Sequence, residues 1–341
     1  MMNSKQRVVA ALEGVLPDRV PVFIMSRHFS MRRKNVSFKA CLEDLSGEKY
    51  AAAQEDSWKV YGYDGVMDLE GVNAESEALG CVLDIYEDKS PAVVKPRLQS
   101  YEALKELQIP DFEKAPVLQR QFNVVKALKR RLGDEVPIYG NVQCPFRSAV
   151  MLRGLNEFML DLIGNPRGVH DLLEFTTGVA IDYGKKLIEW GTDILMPSNP
   201  LASGNLISVD HYKEFVFPYD KKMVAAFKRE GIKTILHICG KVQDRLGLIA
   251  ETGYDGVSVD SVVDLRRAKE QVGDRICLIG NVDVFRPLRK GSAEGVREKA
   301  LKCIEAAGSG GRFMLSASCE IIADTPEENL RALVDTAKGT A

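Results

Sequence analysis

Eight short apolar runs recur along the chain, each too brief for a helix and rich in Val, Ile and Leu. Longer amphipathic stretches separate them, for example residues 169–190, 210–230 and 293–307. Short apolar runs are typical of buried strands, and amphipathic stretches of this length are typical of helices. The eight predicted strands cover residues 19–24, 64–69, 136–142, 193–197, 233–239, 256–260, 276–283 and 312–318.

This alternation of strands and helices predicts a parallel sheet with right-handed crossovers. Eight such units are the number that closes a (β/α)8 TIM barrel. A doubly wound open sheet is the alternative fold.

An internal repeat supports the same arrangement. The sequence GYDGV at residues 62–66 recurs at 253–257, and a looser copy, GTDIL, occupies 191–195. Each copy follows a helical pattern and precedes an apolar run. The repeat therefore predicts a helix that ends at a glycine and leads into a buried strand.

No linker rich in Ser, Gly or Pro divides the chain, so we expect one domain over residues 1–341. It begins with an N-terminal helical segment, 1–18, and carries an insertion after the second strand, 71–135. Within the insertion, residues 81–95 predict a hairpin over the barrel mouth, and a helix begins within 102–108. The last helix is predicted to start with a capping box that uses Thr325 and Glu328, with Pro326 at its first position.

Composition and charge limit the classes of function that the chain can have. Apolar residues make up 45% of the 341 residues and charged residues 28%, which is ordinary for a globular chain. Lys and Arg number 46 against 48 Asp and Glu, so no basic field favours nucleic acid or an anionic membrane as a partner. The chain has no apolar run of about 20 residues and no signal-peptide core. We therefore expect a cytoplasmic protein.

Seven cysteines are too few, and odd in number, for a disulfide framework. Cys41, Cys81, Cys277 and Cys303 are interpreted as small buried apolar groups. Cys144, Cys239 and Cys319 lie at predicted strand ends, where the functional groups of such a barrel gather.

The sharpest chemical pattern is His237-Ile238-Cys239 at the end of the fifth predicted strand. Side chains two positions apart in a strand point to the same side. Imidazole and thiolate are zinc ligands, and a catalytic zinc keeps three protein ligands and one open position. Cys319, at the end of the eighth strand, is the predicted third ligand, and Cys144 is the competing one.

Other polar residues at strand ends are candidates for binding a substrate. Asp260, Asn281 and Asp283 either bind substrate, orient a ligand or cap the helices that follow them. Arg27 and Arg147 could hold a carboxylate or phosphate, or could be solvated loop arginines. Asn199, in the segment after the fourth strand, is a further candidate for binding a substrate. That segment has no acidic residue at its start, so the fourth metal ligand stays unidentified.

Several stretches make the chain similar to a known family almost from end to end. It resembles the uroporphyrinogen decarboxylase superfamily, and within it the zinc-dependent, corrinoid-linked methyltransferases, of which the methylcobamide:coenzyme M methyltransferases are an example. The matching stretches are PDRVPV (17–22), EALG (77–80), IPD (109–111), CPF (144–146), IS (207–208), EFVFPY (214–219), GNVD (280–283) and TPEEN (325–329).

The resemblance implies a single barrel with its active site at the C-terminal mouth. His237, Cys239 and Cys319 match the His-x-Cys…Cys zinc pattern of the methyltransferase branch. Decarboxylases of the family lack this pattern and carry an arginine-rich segment after the first strand, of which this chain keeps only Arg27. The resemblance thus implies Zn²⁺ as a cofactor and methyl transfer between a corrinoid and a small-molecule thiol or methylated substrate.

The chain has no Asp-x-His-x-x-Gly segment of the kind that binds a corrinoid, so we expect a partner protein to supply it. Two alternatives stay open at this stage. One is metal-free decarboxylation of a tetrapyrrole, with Asp260 or Asp283 facing pyrrole N–H groups and Arg27 and Arg147 facing carboxylates. The other is a non-catalytic module that docks a corrinoid protein.

Overall fold

The computed structural model describes residues 1–69 and 73–339, and eight parallel strands form one curled sheet within it. In chain order the strands are β1 (Val22–Phe23), β2 (Val66–Met67), β3 (Val82–Asp84), β4 (Ala92–Lys95), β5 (Ile138–Gln143), β6 (Ile194–Ser198), β7 (Lys233–Ile238), β8 (Gly256–Val259), β9 (Cys277–Val282) and β10 (Phe313–Ala317). Strands β3 and β4 form a separate antiparallel hairpin.

Helices alternate with the strands of the large sheet. They are α1 (Ser4–Glu13), α2 (Arg27–Arg33), α3 (Phe38–Glu43), α4 (Glu48–Tyr61), α5 (Ala74–Ala78), α6 (Pro116–Leu132), α7 (Pro145–Arg153), α8 (Leu155–Gly164), α9 (Pro166–Trp190), α10 (Val209–Phe215), α11 (Phe217–Arg229), α12 (Leu246–Thr252), α13 (Leu265–Val272), α14 (Ala293–Ala307) and α15 (Glu327–Lys338). Short 3₁₀ segments cover Glu102–Glu106 and Pro200–Ala202, and a π-helical turn covers Val284–Arg289.

The strand order around the sheet is β1-β10-β9-β8-β7-β6-β5-β2. From β5 to β10, strands that follow one another along the chain are neighbours in the sheet. Strands β1 and β2 stand at the two ends of this order. The backbone N–H of Asp64 donates to the carbonyl of Val22 at 2.7 Å, which joins these two ends. The predicted (β/α)8 barrel is confirmed, and the doubly wound alternative is excluded.

The aspartate of the repeated GxD motif forms the same pair of hydrogen bonds at three places in the barrel. Asp193 donates its backbone N–H to the Ile138 carbonyl and accepts the Ile138 N–H on its carboxylate, both at 2.9 Å. Asp255 makes the same reciprocal pair with Thr234 at 2.9 Å, and Asp64 makes it with Val22. Each aspartate thus pairs with the start of the neighbouring strand. The preceding glycines end their helices with positive φ, as predicted: Gly62 at 68°, Gly191 at 110° and Gly253 at 99°.

Helix α1 closes the N-terminal end of the barrel. Its residues Val8, Ala11 and Leu12 are buried against the inward side chains of the strands, among them Phe23, Met67, Tyr139, Met196, Ile235, Ile279 and Met314. A larger apolar layer lies between the sheet and the surrounding helices. This packing leaves the C-terminal ends of the strands as the open face. Within the described ranges, no helix is long and apolar enough to cross a bilayer.

The predicted insertion 71–135 contains the hairpin in its expected place, and residues 71 and 72 lie outside the described ranges. The hairpin turn reaches the barrel mouth, where the Ser90 hydroxyl lies 3.5 Å from His28 Nε2. The segment from residue 102 is a 3₁₀ helix rather than the start of an α-helix. Helix α6, at the end of the insertion, is the crossover that leads into β5. The division of the chain into a single domain with one insertion stays a prediction.

The amphipathic stretch 210–230 is helical as predicted, and it is divided into two helices, α10 and α11, at Val216, with Pro218 in the first turn of α11. One local prediction was wrong. Thr325 does not cap α15: Pro326 occupies the cap position without a side-chain hydrogen bond, and the Thr325 hydroxyl is buried without a partner in the described structure.

Candidate metal centre

Three side chains from two separate parts of the chain converge at the barrel mouth. His237 Nε2 lies 3.1 Å from Cys239 Sγ and 3.7 Å from Cys319 Sγ, and the two sulfurs are 3.5 Å apart. Zinc with bonds of about 2.3 Å to sulfur and about 2.0 Å to nitrogen sets tetrahedral edges of about 3.8 Å between sulfurs and about 3.5 Å between nitrogen and sulfur. The three donor atoms therefore fit one face of a zinc tetrahedron.

The orientation of the imidazole is set by a neighbouring strand. His237 lies on β7 and is 8% exposed, and its Nδ1 lies 3.1 Å from the Ser258 hydroxyl on β8. A hydrogen-bond partner on one ring nitrogen fixes the ring and directs the other nitrogen to the metal. Ser258 therefore holds Nε2 toward the two sulfurs.

The turn after Cys239 depends on a glycine and an aspartate. Gly240 adopts a φ of +83°, which favours glycine, and a Cβ there would meet Asn205 Oδ1 at 2.6 Å. The Gly240 N–H donates to the Asp260 carboxylate at 2.8 Å. Asp260 thus supports the loop that carries Cys239, a candidate metal ligand.

Cys319 is anchored on both sides. The Ser318 N–H donates to Val282 O at 2.8 Å, and the Ile321 N–H donates to Met25 O at 2.9 Å. Between them, the Glu320 carboxylate accepts from Arg27 Nε at 3.2 Å and from the His28 backbone N–H at 3.1 Å. These contacts tie the eighth barrel strand to the segment that follows the first one.

The two thiols influence each other. A hydrogen bond from Cys239 lowers the pKa of Cys319, and the His237 ring lowers it further. The same hydrogen bond raises the pKa of Cys239, and burial adds to this. The contacts of Cys319 with Cys239 and His237 therefore favour its thiolate form, the form in which cysteine binds metals.

A second set of polar groups lines the opposite wall of the mouth. Because β2 is only two residues long, side-chain carboxylates continue its pairing with β5. Asp68 accepts the Asn141 N–H at 2.9 Å, and Glu75 accepts the Gln143 N–H at 2.7 Å. Burial raises the pKa of Asp68 to about 6 and that of Glu75 to about 8.

These groups keep polar atoms that no described side chain satisfies. Arg147 donates to the Ser198 hydroxyl at 2.7 Å, and Arg27 to Glu320, but each has a further buried guanidinium nitrogen without a partner. Both side-chain polar atoms of Asn199, and the second carboxylate oxygens of Asp68 and Glu75, are also unpartnered. Buried polar atoms usually have partners, so this wall suits a polar ligand or ordered water.

The structure separates the predicted site residues into two groups. Arg27, Arg147, Asn199 and Asp260 lie around the mouth of the barrel near the metal centre. The predicted residues at the end of β9 turn elsewhere: Asn281 donates to the Asp260 and Val263 carbonyls and contacts Cys303 on α14, and Asp283 caps the π-helical turn.

The competing ligand is not brought to the centre. Cys144 is fully buried, and its sulfur lies 3.7 Å from the Tyr254 hydroxyl. Burial raises the pKa of this thiol well above its usual value. Among the described residues, the group that can hold a metal ion is His237, Cys239 and Cys319.

Sequence reasoning missed Asp68, Glu75 and Ser258. Asp68 ends the second apolar run, so the strand-end rule that singled out Asp260 also applies to it. Ser258 and Glu75 leave no signal in the sequence, because their roles depend on contacts between neighbouring strands and on a short helix.

Comparisons with known proteins cover almost the whole chain. A family model described as uroporphyrinogen decarboxylase (URO-D) matches residues 3–340. Methylcobamide:CoM methyltransferase MtbA of Methanosarcina acetivorans is 30% identical over 339 residues, 98% of this chain and 97% of that protein. Uroporphyrinogen decarboxylase of Crocosphaera subtropica is 26% identical over 98% of this chain and 96% of its own length.

A solved structure agrees with the sequence matches. A methyltransferase from Methanosarcina mazei superposes with a TM-score of 0.89 at 26% identity, over 99% of each chain. The similarity therefore covers the barrel and the segments that form its mouth.

Proposed function

The chain belongs to the uroporphyrinogen decarboxylase family, and from that premise we propose that it is a zinc-dependent methyltransferase that moves a methyl group between a corrinoid and a small-molecule thiol. The observation that carries the proposal is the triangle of His237 Nε2 and the sulfurs of Cys239 and Cys319. The similarity to a methylcobamide:CoM methyltransferase supports the corrinoid as methyl carrier.

The residues at the centre fit zinc and leave a position for a reactant. His237, Cys239 and Cys319 would hold the ion, and when bound it would act as a Lewis acid that lowers the pKa of a substrate thiol. Two thiolates and a neutral imidazole offset the dication, which preserves the nucleophilicity of a substrate sulfur better than a more cationic site does.

The methyl transfer is a nucleophilic displacement at the methyl carbon. The substrate thiol loses its proton to solvent, and its sulfur attacks the methyl carbon of the methyl-corrinoid. The S–C bond forms as the C–Co bond breaks, and both electrons of that bond stay on cobalt, which passes from Co(III) to Co(I). The thioether leaves as product. No other oxidant or reductant is required.

The remaining groups of the mouth orient the reactants. Ser258 and Asp260 hold the ligand side chains in place, so little reorganisation accompanies binding. Arg27, Arg147 and Asn199 offer the unpartnered polar atoms that a small substrate can meet. The corrinoid reaches this face from a separate protein, and the methyl acceptor enters beside it. Binding of substrate by Asn281 and Asp283 stays a prediction.

The test is methylcobalamin consumption by zinc-loaded protein with a panel of thiols, followed by the loss of the methyl-cobalamin absorption spectrum. Wild type is expected to bind about one zinc per chain and to demethylate methylcobalamin. The Cys319→Ala variant is expected to lose both, while Cys303→Ala, which changes a thiol outside the centre, keeps both.

The alternatives give different results in the same set of proteins. Unchanged turnover of uroporphyrinogen by Cys319→Ala would favour metal-free decarboxylation. Zinc binding without methylcobalamin consumption by any thiol would favour a non-catalytic docking module. Either result would contradict the proposed function.

A further inference from the structure

A cavity separate from the candidate metal centre lies outside the barrel wall, beside the rim of the barrel. Its volume is about 480 Å³, it opens to solvent, and it is lined by the loop after β8, the first turn of α13, the π-helical turn after β9 and one face of α14. Its lining includes the cationic side chains of Arg266, Arg286, Lys299 and Lys302. Four cations on three separate elements therefore surround one concave space.

Most of these cations have no counter-ion. Lys302 pairs with Glu298 at 2.5 Å. The side chains of Arg266, Arg286 and Lys299 make no hydrogen bond or ion pair with any residue in the described ranges. Like charges around a shared cavity repel one another, and a bound anion removes that cost.

The acidic residues of the lining are already engaged. The Asp264 carboxylate accepts the Arg267 N–H at the start of α13. The Asp283 carboxylate accepts the N–H groups of Phe285 and Arg286, both at 2.7 Å, and the Ser261 hydroxyl at 3.0 Å. Both carboxylates keep their negative charge, but four cations face two carboxylates in the lining, so the cavity keeps a net positive charge that attracts an external anion.

We propose that this cavity binds a phosphate-class oxyanion, either free or as the phosphate group of a larger molecule. Arginine guanidinium groups bind tetrahedral oxyanions through paired N–H donors, and lysine adds a point charge. Arg266 approaches from the first turn of α13, Arg286 from the π-helical turn and Lys299 from α14, an arrangement that places cations on three sides of a compact anion. The proposal does not depend on methyl transfer at the metal centre.

The experiment titrates zinc-loaded protein with inorganic phosphate in a calorimeter, at constant ionic strength set with chloride. Wild type is expected to bind one phosphate per chain. The double variant Arg286→Gln/Lys299→Gln is expected to bind at least ten-fold more weakly. The control Arg297→Gln removes a cation from the same helix outside the cavity, where Arg297 pairs with Glu294, and should bind like wild type.

A parallel titration with adenosine monophosphate distinguishes the source of the anion. Tighter binding of the monophosphate than of inorganic phosphate identifies a phosphorylated organic ligand, and equal or weaker binding identifies the free anion. Failure of wild type to bind either probe, or equal binding by the double variant, would overturn the proposal. Circular dichroism and zinc content verify that the variants are folded.

Discussion

At the scale of single residues, the candidate metal centre depends on side chains other than its three candidate ligands. Ser258 fixes the His237 ring through Nδ1, and Asp260 holds the Gly240 N–H next to Cys239. Such supporting contacts set the orientation of ligands that the strands alone leave free to rotate.

Ser258→Ala is expected to weaken zinc affinity by about 10- to 100-fold, because the imidazole loses the partner that orients it. The measurement is a competition titration against a coloured zinc chelator. Ser316→Ala is the matched control, since Ser316 is a buried serine on β10 whose hydroxyl donates to a nearby carbonyl rather than to a ligand. Equal affinities in the two variants would contradict the role of Ser258.

A buried carboxyl behind the barrel gives a prediction about pH. Asp220 on α11 is fully buried and accepts the Tyr254 hydroxyl at 3.2 Å, and burial raises its pKa to about 7. In the unfolded chain the pKa of Asp is about 3.9, so the folded state binds a proton that the unfolded state releases. Stability should therefore fall as the pH rises from about 4 to about 7.

Asp220→Asn should remove this decline, whose full size is on the order of 4 kcal/mol at 1.36 kcal/mol per pKa unit. Urea unfolding of wild type and variant at pH 5 and pH 8 measures the part of the decline between these pH values, about 3 kcal/mol for two pKa units. The control is Asp182→Asn, at an exposed position of α9, which should keep the decline. If the difference in unfolding free energy between wild type and Asp220→Asn were the same at pH 5 and pH 8, the result would contradict the expectation.

Much of the metal centre could be predicted from sequence at this scale. The two-residue period of a strand places His237 and Cys239 on one side, and the end of the last strand supplies Cys319. The orientation of Asn281 could not be predicted: strand alternation places it inward like Ile279, but its side chain contacts Cys303 on α14 instead.

At the scale of elements, short strands are extended by carboxylates. Asp64, Asp193 and Asp255 pair with the first residues of neighbouring strands, and Asp68 and Glu75 continue the pairing of β2. The barrel is thus closed partly by side chains. This explains why the repeated motif contains an aspartate.

The aspartates of the repeat should differ in their contribution to stability. Asp64 is fully buried and pairs with Arg7 at 2.7 Å and Arg19 at 2.8 Å, so Asp64→Ala removes one of the two carboxylates paired with Arg7 and the one paired with Arg19, and should cost about 3–5 kcal/mol. Asp255→Ala mainly loses the Thr234 N–H partner and should cost about 1–3 kcal/mol. Urea unfolding of both variants tests this order, and equal losses would contradict it.

The order and position of the strands could be predicted because their burial leaves a continuous apolar signal. Their lengths could not, since β1 and β2 end after two residues where side chains take over the pairing. The prediction that Thr325 caps the last helix was wrong for a related reason. The sequence pattern around Thr325 is local, whereas its hydroxyl is buried by the packing of the whole chain.

At the scale of the whole molecule, barrel closure is what creates the centre. His237 and Cys319 are 82 residues apart in sequence, and they meet because β7 and β10 end at the same open face. A metal bound there links two parts of the barrel wall, so its binding energy adds to the stability of the folded state.

Removal of zinc with a chelator should therefore lower the melting temperature, and added zinc should restore it. A free zinc concentration 100 times the dissociation constant corresponds to about 2.7 kcal/mol. Calorimetric melting of wild type and Cys319→Ala measures the effect. Zinc should shift the wild type alone, and an equal shift in the variant would place the stabilising ion elsewhere.

The central claim is that one imidazole and two sulfurs hold a zinc ion with a position left for a thiol. Zinc X-ray absorption spectroscopy tests it most directly. The account predicts two sulfur neighbours at about 2.3 Å in the protein alone and three after a reactive thiol is added. A sulfur count that stays at two with the thiol present, or zinc without sulfur neighbours, would contradict it.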